Sequence, residues 1–543
     1  MNKIKFLFVS IFAALVLASC GASKSVSTIS LLPETAPLNI TKKAPINEGD
    51  LKRWSHLDLV KDTIPGMSVD KAYSELLKGK KGVKVIVGVV DSGVDIDHED
   101  LKSVIWTNKK EIPGNGIDDD NNGYIDDIHG WNFLGDITKE NLEYERILNN
   151  KNLVDEATYQ EAKAAHDKKV AESTEGKTQL EKILEGTTKA DAVLVKYFGK
   201  SGYSVEEVNA IESQDSILKV SKSMMQRMLS FGMSVPDLKT AIQKELDADI
   251  AAINENAPMI NYRKVVGDNP EDITDTKYGN NNVMGISPDK SQIMHGTHVA
   301  GIIAQVRNNG IGGDGISNNT EILVVRAVPD GDEYDKDVAL GIRYAVDNGA
   351  KVINGSFGKD FSPHKQWVYD AIKYAESKDV LIVHAAGNDA KDIDFENNFP
   401  NDSDDKKTEF ADNVITIGAL NFEYGPKIVA RFSNIGKLNV DAFAPGVKIY
   451  ASTPNNTYKF LQGTSMASPN VAGVAALIRS YYPKLSAQQV KHILMDSGVA
   501  ITTDVVVAGN PRDVRSFTNL SKSGKIVNAY NALLMAEKMS KNK

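Results

Sequence analysis

The sequence predicts an α/β protein with a mostly parallel central sheet, helices on both faces and a helical insertion. Three observations carry this prediction. The run Val83 to Val90 is almost wholly apolar, as expected of a strand buried on both faces. From His295 onward, short apolar runs alternate with amphipathic helical patterns, the order that builds a parallel sheet covered on both sides. Between them, residues 114–235 contain no proline, and residues 139–254 are dense in the helix formers Glu, Lys, Ala, Gln and Leu.

Residues 1–20 read as a targeting segment. Lys3 and Lys5 precede a largely apolar run from Phe6 to Ala18, which ends in Leu17-Ala18-Ser19-Cys20. That run is too short to cross a hydrocarbon core of about 30 Å, so it predicts a signal peptide rather than a membrane span. Residues 21–53, rich in Ser, Thr, Pro and Lys, are expected to form a flexible tether. The folded domain is expected over 54–540, interrupted by the insertion at 138–264. It opens with the turn Ile64-Pro65-Gly66 and a short helical pattern from Val69 to Leu77. The first strand then ends at Asp91.

After that strand, Asp118, Asp120 and Asn122, followed by Gly123, place oxygen ligands at alternate positions as in the first half of a calcium loop. The second half does not match, because His129 stands where a bidentate glutamate is needed. A solvated acidic turn is the plainer reading. Within the insertion, Asp155 to Glu172 and Val235 to Ile253 carry apolar residues at helical spacing and predict surface helices. Beyond it come helix His295–Val306, strand Glu321–Ala327, helix Asp337–Asp347, strand Lys351–Asn354 and helix Lys365–Ser377. Strands Val380–His384 and Val414–Ala419 follow, then a helix opening at Ser465 and closing helices over Ala487–Asp496 and Ile526–Met539.

Cys20 is the only cysteine, so the folded domain has no disulfide. A formal net charge of −9 argues against nucleic acid as a partner, and a hydrophobic content of 41% is ample for a large core. No second apolar run is long enough to span a membrane.

Four stretches carry chemistry: Asp91-Ser92-Gly93, His295-Gly296-Thr297-His298, Ala385-Ala386-Gly387-Asn388 and Gly463-Thr464-Ser465-Met466-Ala467-Ser468-Pro469. A serine in the first turn of a helix lies among unpaired N–H groups, so its own N–H can receive a developing oxyanion. Each residue alone has a plainer reading: Ser465 as a helix cap, Asp91 as a turn former, His295 as a satisfied histidine, Asn388 as a loop residue. Together, in the order Asp, His, Ser, the four stretches resemble the signature segments of the subtilisin-like serine proteases. The resemblance covers about residues 55–137 and 265–540 and implies a subtilisin-like fold.

In that fold Ser465 would be the nucleophile, His295 its general base and Asp91 the group that orients the imidazole. Asn388, with the N–H of Ser465, would bind the oxyanion. Ser356-Phe357-Gly358 resembles the family segment that pairs with the substrate backbone and walls the primary pocket, while His298 is assigned to structure. Leu17-Ala18-Ser19-Cys20 looks like a bacterial lipoprotein box, with Cys20 lipidated. The expectation is a serine endopeptidase with protein or peptide substrates and no organic cofactor, with calcium as the candidate ion of the Asp118 loop. It would be exported and lipid-anchored in the bacterial envelope, on the periplasmic or the cell-surface side of the outer membrane. No inhibitory propeptide is evident before the first strand.

Rival enzymes fit poorly. His295 and His298 lack the His-Glu-x-x-His arrangement of a zinc protease, and the acid and histidine an α/β-hydrolase needs after its serine occur in the wrong order. The competing class is a surface lipoprotein whose protease-like domain binds peptides without cutting them.

Overall fold

The computed structural model describes residues 45–229, 233–254 and 259–541. The predicted signal peptide, the lipidated Cys20 and most of the tether lie outside the described residues. The tether ends sooner than predicted. Asn47 caps a helix at Glu48–Lys52, its Oδ1 accepting the Asp50 N–H at 2.8 Å. Trp54 beyond it is 1% exposed, with its indole N–H donating to the carbonyls of Val447 and Lys448. This anchor joins residues nearly four hundred positions apart, a pairing that tether-like composition does not reveal.

Nine strands form one sheet. From edge to edge they are Val499–Ala500, Lys525–Ile526, Ala442–Pro445, Val414–Leu420, Leu381–Ala385, Val352–Gly355, Val85–Asp91, Thr320–Arg326 and Gly130–Asn132. All neighbours are parallel except the first pair. Val85–Asp91 pairs with Thr320–Arg326 on one side and Val352–Gly355 on the other, so Asp91 ends a central strand. Helices Met294–Ala304 and Thr464–Tyr481 are buried over nearly their whole length, which explains why their sequences are apolar on every face.

The predicted helices and strands after His295 lie within a few residues of those observed. The exceptions are instructive. The closing helix starts at Ala529, because Ile526 is held in a strand between Phe443 and Val499. The antiparallel hairpin Ile449–Thr453 with Thr457–Leu461 has no counterpart in the predicted elements.

In the insertion, Asp155 caps a single helix of 43 residues, Glu156–Phe198, which ends at Gly199 in the left-handed conformation. The predicted segment to Glu172 is its first part. Helices Ser216–Leu229 and Val235–Ile253 pack against it around Leu194, Val208, Met225 and Val235. Buried ion pairs tie the insertion to the sheet domain. The Glu143 carboxylate receives Arg146 and Lys359, each at 2.6 Å, and the Lys359 ammonium also meets Asp335 at 2.9 Å. Although burial opposes ionisation, these cations hold Glu143 at about 2.

Candidate active site

Asp91 is 1% exposed, yet a helix start reaches it. A side chain at Gly296 would stand 2.2 Å from the Gly93 carbonyl oxygen and 3.1 Å from Asp91 Oδ1, so only glycine allows this approach. His295 Nδ1 consequently lies 2.7 Å from Asp91 Oδ1, which also accepts the Ser92 N–H at 2.7 Å. An ionised carboxylate only accepts, so Nδ1 carries the proton and Nε2 of the neutral ring is free to take another. The imidazole keeps 39% of its surface open to the cleft. Burial acts to lower its pKa, but the Asp91 charge and hydrogen bond outweigh burial and raise it.

Ser465 is the second residue of helix Thr464–Tyr481 and is half-buried where most of that helix is buried. Its Oγ donates to the Ser356 carbonyl at 3.1 Å rather than to His295. The hydroxyl must turn away from Ser356 before the imidazole could take its proton. Asn388 is already set: its Oδ1 accepts from the N–H of Thr464 at 2.8 Å and from Thr464 Oγ1 at 3.1 Å, which leaves the amide Nδ2 to the cleft. A point one Cβ out from Gly463 lies 3.5 Å from Ser465 N and 3.6 Å from both Nδ2 and Oδ1 of Asn388, so the Ser465 N–H and the Asn388 amide stand beside one region of space. In the oxyanion role that the resemblance implies for Asn388, its replacement with leucine is expected to lower kcat by about 10²–10³, with KM little changed. Equal saturated rates for the two proteins would remove Asn388 from the oxyanion site.

Of the predicted substrate segment, Phe357 and Gly358 line the main cleft, of about 1050 Å³, together with Ser356. The Ser356 side chain also acts as a tie. Its Oγ donates to the Ser465 carbonyl at 3.0 Å and accepts from Asn354 Nδ2 at 2.9 Å, fixing the serine helix to the sheet. A second cavity of about 580 Å³ shares His295, Asn388 and Ser465 with the first and is walled by Phe460, Leu461 and Lys448 beside the hairpin. Ser465 and Leu461 thus line both cavities.

Several residues at the site carry no local sequence signal. Asn398 faces both pocket walls: its Oδ1 would lie 3.1 Å from a Cβ at Gly358 and 3.2 Å from one at Gly387. Asn434 holds the Asn388 loop, donating to the Ala386 carbonyl at 2.8 Å and accepting from the N–H groups of Asp389 and Lys391 at 3.0 and 2.9 Å. The His384 ring lies 2.8 Å from the Phe357 carbonyl and is kept neutral by burial, its pKa pushed down to about 4. His298 is likewise buried, 3.1 Å from the Lys459 carbonyl of the hairpin, with its pKa near 4.

The acidic loop departs from its predicted ligand set. Glu111, Asp118 and Asp120 each bring an oxygen to within 4.8 Å of the others. Asn122 is committed elsewhere, its amide donating to Asp127 at 3.1 Å and its Oδ1 accepting the Tyr124 N–H at 2.8 Å. The third candidate ligand is thus Glu111, brought in from upstream by the fold of the loop.

A parallel sheet with an aspartate at a strand end, and a histidine and a serine at helix starts over one cleft, defines the class of proteins built around an Asp-His-Ser triad. A family model described as the Subtilase family matches residues 82–522, and the chain belongs to that family. It is 43% identical over 187 residues to a thermophilic serine proteinase of Bacillus sp. (strain AK1), covering 34% of this chain and 42% of the relative. It is 31% identical over 292 residues to subtilisin-like protease 1 of Plasmodium vivax, covering 50% of this chain and 45% of that protein. Subtilisin DY of Bacillus licheniformis is 37% identical over 205 residues, which are 37% of this chain and 68% of the relative. The chain thus spans less than half the length of the first two relatives.

Proposed function

We propose that the chain is a serine endopeptidase that hydrolyses peptide bonds in proteins. The observation that carries this reading is the meeting, at one cleft, of an Asp91-paired imidazole, the Ser465 hydroxyl and, beside one region of space, the Ser465 N–H and the Asn388 amide. After rotating, Ser465 Oγ would attack the scissile carbonyl while His295 Nε2 takes its proton. The oxyanion would sit between Ser465 N and Asn388 Nδ2, and His295 would return the proton to the leaving amine. Asp91 would steady the imidazolium throughout. The test is labelling of the full chain with a fluorophosphonate probe: the parent should be labelled and the Ser465→Ala variant should not. Equal labelling of the two would refute the nucleophile assignment.

One observation favours a second reading, a peptide-binding protein without turnover: the Ser465 hydroxyl is bonded to Ser356 rather than to His295. Side-chain rotation of a half-buried serine is fast on the scale of catalysis, so this bond delays nothing by itself. Folded protein that binds peptides but resists the probe would favour the binding reading.

The same proposal places calcium between Glu111, Asp118 and Asp120, where hard carboxylate oxygens suit a hard cation and the mutual repulsion of three carboxylates would be relieved. The ion would brace the loop that leads into edge strand Gly130–Asn132. Calcium should raise the unfolding temperature by binding only the folded state, and Asp120→Asn should abolish the rise. An unchanged temperature in the parent would count against the site. Anchoring through a lipid on Cys20, in the bacterial envelope at the outer membrane, completes the proposal. It rests on the residues Leu17-Ala18-Ser19-Cys20, and metabolic labelling with a fatty-acid probe, lost in Cys20→Ala, tests it.

A further inference from the structure

The main cleft extends past Phe357 and Gly358 to the insertion, where Lys244 from helix Val235–Ile253 and Lys139 from the insertion's first residues line it. Both are exposed, and among the described residues neither makes a hydrogen bond or ion pair. That sets them apart from neighbours in the insertion such as Lys177, paired with Glu181 at 2.8 Å, and Lys239, paired with Asp191 at 2.7 Å. The other charges along the same wall are largely spent. Lys359 is buried between Glu143 and Asp335, and Asp360 is held by Lys391 at 2.6 and 2.7 Å. Glu333 is pushed up to about 7 by burial. Of the other cleft carboxylates, Asp389 lies 4.0 Å from Lys391, and Asp330, exposed and in no ion pair among the described residues, pairs through its backbone with Lys139.

We propose that Lys244 and Lys139 form a subsite for acidic side chains of the substrate. Both lysines line the cavity that Phe357 and Gly358 line, and neither lines the one beside the hairpin, so a peptide lying along Phe357-Gly358 comes within their reach. An acidic side chain there gains two cations that hold no ion pair, whereas a basic one is repelled by both. The insertion thereby supplies selectivity to a cleft whose chemical groups all belong to the sheet domain.

This inference rests on the endopeptidase reading for its turnover arm but not for its binding arm. Internally quenched peptides would carry Glu, Gln or Lys in turn at each of the four positions on either side of the cleaved bond. The parent should favour Glu over Gln in kcat/KM at one position by about two- to fivefold per lysine, less at high salt. Lys139→Ala with Lys244→Ala should erase the preference, and Lys244→Glu should reverse it toward Lys. The same peptides, dye-labelled, would be titrated into the Ser465→Ala variant, where Kd should follow the same order. A charge preference in Kd without cleavage of any peptide would overturn the endopeptidase reading and leave the subsite standing. Cleavage with no charge preference, or with a preference that survives the double variant, would overturn the subsite.

Discussion

Ser465→Ala is expected to reduce kcat on casein or a peptide substrate by about 10⁶, the scale seen for loss of the nucleophile in subtilisin, a member of the same family. The size follows from how the site is assembled. The imidazole and the oxyanion donors act on a bond that only the serine hydroxyl begins to break, so removing Oγ idles His295 and Asp91 as well. Binding should survive, because the cleft is built by Phe357, Gly358 and the Asn388 loop rather than by Oγ. The hydroxyl's loss should also cost little stability, since its one bond is a 3.1 Å contact to the Ser356 carbonyl at a half-buried position. A variant that retains parental turnover would show that hydrolysis proceeds elsewhere on the protein.

Asp91→Asn is expected to lower kcat by about 10⁴ through the imidazole rather than through the substrate. An asparagine amide can donate to Nδ1, which shifts the ring proton to Nε2 and leaves no base facing Ser465. The pH profile should move as well. In the parent, activity falls as pH drops through the His295 pKa, which the Asp91 carboxylate raises against the effect of burial. With that charge removed, burial alone remains, so the acid limb should shift to lower pH. A modest loss of rate with an unmoved acid limb would mean that Asp91 does not orient the base.

What the sequence revealed of this site follows from the range over which each cause acts. Asp91 and Ser465 were legible because their settings are local, a buried strand that stops and a helix that begins. The Asn388 loop was legible for the same reason, as the continuation of the buried strand Leu381–Ala385. Asn434 and Asn398 were not, since each is an ordinary loop asparagine until the fold sets it beside Gly387. Glu111 escaped notice because it joins Asp118 and Asp120 only when the loop closes on itself. The insertion's helices could be read from periodicity, but not the extension of the first into one 43-residue rod, nor the buried pairs that Glu143 makes with Arg146 and Lys359.

The order in which Asp91, His295 and Ser465 enter the chain also governs when the proposed site can be complete. Asp91 lies on a central strand that pairs with strands more than two hundred residues downstream, and helix Thr464–Tyr481 packs against that sheet only once most of the polypeptide exists. A chain that emerges N-terminus first therefore presents Ser465 last of the three, and contacts of such long sequence separation form slowly. The proposed site is complete only as folding finishes.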